Sequence, residues 1–228
     1  MALNRVKEID EKVKVQNVLI SVSDKKDIEL LVNGLIFSNP DINIFSTGGT
    51  FTKIKEILGE NWSKNLRAVS EFTGQPEMQG GLVKTLDFKI YLGILSETYN
   101  PHHKEDLVRT SGVALDMVIV NLYPFKETIS SSGVTVEDAR ANIDIGGPCM
   151  LRASAKNYLR VASISNPDLY RDIVEELKET GGFISLETRF KCAQNSFLHT
   201  ANYDKAISEY LLKQDIKTVM SQYDFQDK

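Results

Sequence analysis

The sequence predicts an α/β fold: a mostly parallel sheet covered by helices on both faces, with a helical C-terminal extension. Two observations carry this reading. Apolar, β-branched runs of strand length alternate with segments of helical spacing, the pattern of parallel strands joined by helical crossovers. The connections between them are short, as such crossovers prefer.

Residues 1–14 are charged and carry no strand signal, so a frayed or helical leader is expected there. Residues 18–23 (VLISVS) are the first strand run. Helical spacing follows over 28–37 (IELLVNGLIF) and stops at Asn39-Pro40-Asp41. Residues 42–45 (INIF) read as a second strand, 46–50 (STGGT) as a turn and 51–58 as a second helix. Residues 90–95 (IYLGIL) and 117–123 (MVIVNLY) read as buried strands, with a helix over 102–110 between them. Helical spacing returns over 136–143 and breaks at Asp144-Ile145-Gly146-Gly147-Pro148. Pro148 suits a first helical turn, where its missing N–H is not needed, and 150–156 continue that helix. Residues 161–165 (VASIS) form a further strand, and the signal is helical from Pro167 on, including 186–212. The organisation read from this order is a leader (1–14), a sheet domain (15–165) and a helical extension packed on it (166–228), without internal repeats or linkers.

The chain is 42% hydrophobic and 25% charged, which excludes a disordered or fibrous protein. A net charge of −4 argues against nucleic acid as a partner, whereas a small anion needs only a few local donors. Residues 1–14 lack the apolar stretch of a signal peptide, and the longest apolar run, 117–120, is too short to cross a membrane. Two cysteines, Cys149 and Cys192, supply neither a disulfide framework nor a four-ligand zinc site. His102 and His103 diverge on a helix and His199 lies far downstream, so no metal set is read. A cytoplasmic globular protein is the expectation.

In open parallel sheets ligands bind beyond the carboxyl ends of the strands. Ser23-Asp24-Lys25, Thr47-Gly48-Gly49-Thr50 and Asn121-Leu122-Tyr123-Pro124 follow strand runs, and Asp144-Ile145-Gly146-Gly147 precedes a helix. Glycines at 48 and 49 let a ligand approach the backbone, the next helix offers N–H groups, and Thr47 and Thr50 add hydroxyls. This makes a workable phosphate cradle, although neither a Walker loop nor G-x-G-x-x-G is present; a plain strand–turn–helix junction is the alternative. Asp144 reads as a helix cap or as half of a proton-transfer couple with Lys156, and the N–H groups beside Gly146 and Gly147 suit an oxyanion. Lys84 and Thr85, after a glycine pair, offer a point charge and a hydroxyl.

Taken together, LISVSDK (19–25), STGGT (46–50), EFTGQPEMQGGLVKTL (71–86), VNLYPFKET (120–128), NIDIGGPCMLRASAKNY (142–158) and HTANYD (199–204) resemble, in that order, the IMP cyclohydrolase domain of the bifunctional purine biosynthesis protein. The resemblance implies a methylglyoxal-synthase-like sheet domain and ring closure of 5-formamidoimidazole-4-carboxamide ribonucleotide (FAICAR) to IMP and water, without a cofactor. It implies nucleotide binding by Ser23, Asp24, Lys25 and Thr47, Gly48, Gly49 and Thr50, with Thr85, Asn121, Ile145, Gly146 and Gly147 near ribose, base and oxyanion. Lys84, Tyr123, Asp144 and Lys156 would be catalytic, Asp144 and Lys156 relaying the proton. It further implies a homodimer.

The chain departs from the family pattern at Leu82, where an Arg is usual, and at Asp87, Phe88 and Tyr91, where His, Pro and His are usual. Asp87 is expected to bring negative charge close to a dianionic substrate. The length accommodates the cyclohydrolase half alone, so a separate formyltransferase is expected to supply the substrate. The competing readings are a non-catalytic purine-nucleotide-binding paralogue and a methylglyoxal synthase.

Overall fold

The computed structural model describes residues 5–76 and 83–226. Its centre is a five-stranded, all-parallel sheet of β2 (Asn17–Val22), β3 (Asn43–Ser46), β4 (Leu66–Ala68), β5 (Met117–Asn121) and β6 (Ala162–Ile164), in the order β4-β3-β2-β5-β6. A two-stranded antiparallel ribbon joins β1 (Lys12–Lys14) to β7 (Phe183–Ser185). Alternate strand residues feed two apolar layers. Val18, Ile20, Ile44, Met117 and Ile119 face one, with Ile28 and Leu31 of α1 (Ile28–Ser38), Ile54 of α2 (Gly48–Leu58), and Ile173 and Leu177 of α10 (Tyr170–Glu179). Leu19, Phe45, Val118 and Val120 face the other, with Ile90 of α5 (Phe88–Leu95), Leu151 of α9 (Gly146–Lys156), and Tyr203 and Ala206 of α11 (Leu186–Leu211). Side chains from beyond residue 166 thus complete both layers.

Four elements differ from the sequence expectation. Residues 90–95 form a helix, not a buried strand: Asp87 caps it by accepting from the Lys89 N–H at 2.7 Å, and Ile90, Gly93 and Ile94 are buried at helical spacing. A short apolar run fits either structure, and here the cap and the burial period decide. The leader is not helical at its end. Lys12–Lys14 pairs with a strand about 170 residues away, turning Val13 inward between two lysines. β7 and β4 are three-residue strands in segments read as helical or left unassigned.

The amino ends of the strands are tied by side chains. Asp116 accepts from the Gln16 and Asn17 N–H groups, each at 2.9 Å, and meets Arg160 at 3.1 Å. Arg160 reaches on to the Ser96 and Gly93 carbonyls, which fixes the end of α5. Arg189 of α11 is wholly buried and donates only to backbone carbonyls: Asp10, Glu11, Tyr158, Leu159 and Ile184, at 2.7–3.2 Å. All five guanidinium donors are used. Burial lowers its pKa, yet a guanidinium keeps its charge in proteins. Among the described residues no helix is long and apolar enough to cross a membrane.

Arg189→Met keeps the volume but withdraws a charged donor group from five backbone carbonyls, of which that of Glu11 keeps the Leu186 N–H as a partner. Denaturant unfolding should show a loss of about 3–5 kcal/mol, the scale of breaking a buried charged network.

Candidate active site

The sheet order reverses between β2 and β5: the chain runs outward from β2 through β3 to β4, then returns to the other side of β2. Loops leaving the two strands there diverge and open a cleft. A cavity of about 410 Å³ occupies this position. Its wall comes from the carboxyl ends of β2, β3 and β5, from the start of α2, from Lys84 and Thr85, and from the start of α9.

One wall has the chemistry of an anion cradle. Gly48, with φ of +54°, turns the chain from the extended Thr47 into α2, a conformation that favours glycine. The first N–H groups of α2 have no partner within the helix and carry the positive end of its dipole. Two ammonium groups stand over them. A Cβ on Gly48 would lie 3.4 Å from the Lys84 Nζ, and one on Gly49 would lie 3.9 Å from the Lys25 Nζ. Lys25 is also held by the Ser23 carbonyl at 3.3 Å.

The opposite wall is the turn before α9. Asp144 accepts from the Gly147 N–H at 2.9 Å, and the Tyr123 N–H faces the same carboxylate. Any side chain at Gly147 would collide with this carboxylate and with Leu122, so the glycine permits the approach. Thr85 Oγ1 packs against the next glycine, 2.8 Å from where a Gly146 Cβ would stand. Burial raises the Asp144 pKa above the ordinary carboxylate value; the two N–H donors oppose this without cancelling it. Tyr123 and Ile145 stand at the mouth, 54% and 56% exposed, ready to meet a ligand's flat faces.

Most of the residues singled out from the sequence line this cavity: Ser23, Lys25, Thr47 to Thr50, Lys84, Thr85, Asn121, Tyr123 and Asp144 to Gly147. Several act differently from expectation. The Thr50 hydroxyl is spent on β2, donating to the Val22 carbonyl at 2.9 Å and accepting from the Val22 N–H at 3.1 Å, so only its backbone serves the cradle. The Asn121 amide likewise accepts from the Ser23 and Asp24 N–H groups and donates to the Asp24 carbonyl. Asn121 shapes the loop. The Asp24 carboxylate turns back to the Lys26 N–H and lies outside the cavity wall.

Lys156 is not brought to Asp144 within one chain. It is exposed at the far end of α9, about 15 Å along the helix from Gly146, because ten residues rise ~1.5 Å each. An Asp144–Lys156 relay inside one protomer does not form. Asp87 is also outside the cavity wall, its charge spent on the start of α5, and Phe88 points to solvent at 64% exposure. Leu82 lies outside the described residues. Asn142, Ile143 and Met150 line the cavity without having been singled out, although all three stand in the segment 142–158 that carries Asp144.

An MGS-like domain model matches residues 31–149, and a model of the AICARFT/IMPCHase bienzyme matches 154–228. The bifunctional purine biosynthesis protein PurH of Ligilactobacillus salivarius is 46% identical over 200 residues, covering 88% of this chain and 38% of that protein. PurH of Trichodesmium erythraeum is 44% identical over 196 residues, covering 86% and 37%. The chain therefore spans under two-fifths of the length of the curated relatives it matches. The crystal structure of ForH superposes with a TM-score of 0.69 at 28% identity, over 85% of this chain and 97% of that one. With a model matched over more than half its length, the chain belongs to the MGS-like domain family, and beyond that domain it is similar to the AICARFT/IMPCHase bienzyme.

Proposed function

We propose that the chain is an IMP cyclohydrolase, converting FAICAR to IMP and water in purine biosynthesis. The observation that carries this reading is convergence: two helix starts, two lysines and one desolvated carboxyl meet in a single cavity at the reversal point of the sheet. The names of the PurH relatives agree with it. The formylated substrate comes from a formyl-transfer reaction, on this polypeptide or on another. Free cysteines fit a reducing cytoplasm.

The nucleotide phosphate sits at the start of α2 under Lys25 and Lys84. The carboxamide nitrogen of the substrate bonds to the formyl carbon, and the formyl oxygen takes the developing negative charge. The Gly147 N–H is already given to Asp144, so the donors for that oxygen are the Ile145 and Gly146 N–H groups, helped by the α9 dipole. Asp144 takes the proton released by the attacking nitrogen. Its desolvation strengthens it as a base, and as an acid it returns a proton to the departing oxygen. The carbon–oxygen bond breaks, the formamide nitrogen loses its proton, and water leaves. The Tyr123 hydroxyl assists at the same oxygen.

Lys156 belongs to a different surface. It shares one face of α9 with Arg152, which lies over the Phe197 ring. Phe190 and Phe197 of α11 are exposed, at 46% and 39%, Phe197 against Arg152 and Phe190 against Tyr158. This α9–α11 face is the contact of the expected homodimer, and Lys156 acts from there. Light scattering should give a dimer for the native chain and a monomer for Phe197→Asp.

Purified protein mixed with FAICAR should form IMP; folded protein without turnover above the uncatalysed rate would sink the reading. Lys25→Ala should raise KM about tenfold with little change in kcat, because it removes a charged donor from a non-reacting group. Asp144→Asn should lower kcat by about 10²–10⁴-fold. The same variant reports on stability. The folded pKa of Asp144 lies above the unfolded value of about 3.9. Below the unfolded value the carboxyl is protonated in both states. As pH rises through the folded value the wild type loses the stability that protonation contributes, so thermal scans should show the variant's advantage growing over that window.

A further inference from the structure

The segment HTANYD (199–204) lies on α11, outside the cavity, yet one of its side chains reaches the catalytic turn. Tyr203 is 8% exposed. Its hydroxyl accepts from the Asp144 N–H at 2.8 Å and points back at the Asn142 carbonyl, 3.4 Å away. It therefore closes both backbone groups of a turn 59 residues earlier in the chain. Its ring packs edge-on to Phe125, with centroids 6.2 Å apart, and Tyr210 packs on the same ring at 5.9 Å. Phe125 begins α7 (Phe125–Ser130), two residues after Tyr123, and its N–H donates to the Tyr123 carbonyl at 2.8 Å. A single side chain thus touches both segments that carry the proposed proton-transfer groups.

We infer that Tyr203 is a positioning residue for the proposed ring closure: its hydroxyl sets the Asn142–Asp144 turn and its ring sets the Tyr123 segment, so that the Asp144 carboxyl meets the reacting atoms. The inference rests on the cyclohydrolase reading for its kinetic meaning alone. The chemistry suits a neutral phenol, which accepts and donates at once, and burial raises the Tyr203 pKa, keeping the proton on. Phenylalanine at 203 would keep the ring and leave the Asp144 N–H and the Asn142 carbonyl to seek water. The turn then moves, and a shift of about 1 Å at a reacting group costs on the order of 10²-fold in rate.

Tyr203→Phe tests this in the full-length chain. Expected are a kcat for FAICAR lower by about 10–100-fold, with KM and IMP affinity within about twofold because the phosphate cradle is untouched. The acidic limb of the kcat profile should move as well. A carbon-13 titration of the Asp144 carboxyl, without substrate, should give a midpoint shifted towards the ordinary carboxylate value as water reaches the loosened turn. Tyr210→Phe, on the same aromatic cluster but away from the turn, should keep kcat and midpoint. Wild-type kcat and midpoint in Tyr203→Phe would overturn the inference. So would a joint fall of kcat, IMP affinity and melting temperature in both variants, which marks general loosening. If the native chain does not convert FAICAR, the cyclohydrolase reading fails, and the Asp144 midpoint alone decides the positioning role.

Discussion

The divergence of β2 from β5 is the constraint on which the functional end of the molecule depends. Parallel strands that part after their last pair, here Val22 with Asn121, leave backbone N–H and carbonyl groups without ladder partners. Asn121 carries the ladder one step further with its side chain, taking two N–H groups from the departing loop and giving one back to the Asp24 carbonyl. Thr50 does the same on the other flank for Val22, and Ser46 donates to the Ile20 carbonyl. The fork is held open by short polar side chains of the chain itself, an arrangement that keeps the ordering entropy of binding small.

The other end of the sheet solves the opposite problem, which is closure. Here the leader, the loop before β6 and the β7 ribbon come together with few backbone partners of their own, and Arg189 gathers their carbonyls at one point. A lysine would supply three donors from a point; the flat guanidinium supplies five in fixed directions. The clamp sits at the start of α11, and Tyr203 sits four turns further along the same helix. One long helix thus connects the fastening of the chain's beginning to the setting of the Asp144 turn, so the C-terminal segment bears on both ends of the sheet.

Four strands of the central sheet, β2, β3, β5 and β6, were legible because each lies in an apolar run rich in β-branched residues; β4, with the sequence LRA, has no such run. IYLGIL was not legible, since six apolar residues fit a strand as readily as two helical turns, and the deciding features, the Asp87 cap and the burial of Ile90, Gly93 and Ile94, are partly tertiary. The ribbon of β1 and β7 was invisible, because three-residue strands carry no period and each finds its partner only in the fold. At the site, the motif residues did gather in one cavity, but their roles were harder to read. A hydroxyl or amide near a phosphate site is equally suited to a ligand and to the backbone, and Thr50 and Asn121 went to the backbone. The distance of Lys156 from Asp144 was already implicit in the helix read between them, since helical rise separates its two ends by more than any side chain spans.

Electrostatics give the arrangement its direction. The chain is acidic overall, with a net charge of −4, yet the cradle at α2 is built from a dipole and two ammonium groups, and a charge total has no bearing on donors a few ångströms away. Asp144 stands across the same cavity. Were it well hydrated it would be a weaker base. Desolvation raises its proton affinity, which makes the carboxylate a stronger base for the proposed ring closure. The cost is local: a buried carboxyl, a glycine at 147 whose Cβ would meet that carboxyl and Leu122, and a turn whose Asp144 N–H finds its partner on α11. Stability given up at Asp144 is recovered at places such as Arg189, away from the reacting atoms, which leaves the site free to keep a group in an environment that does not suit its charge.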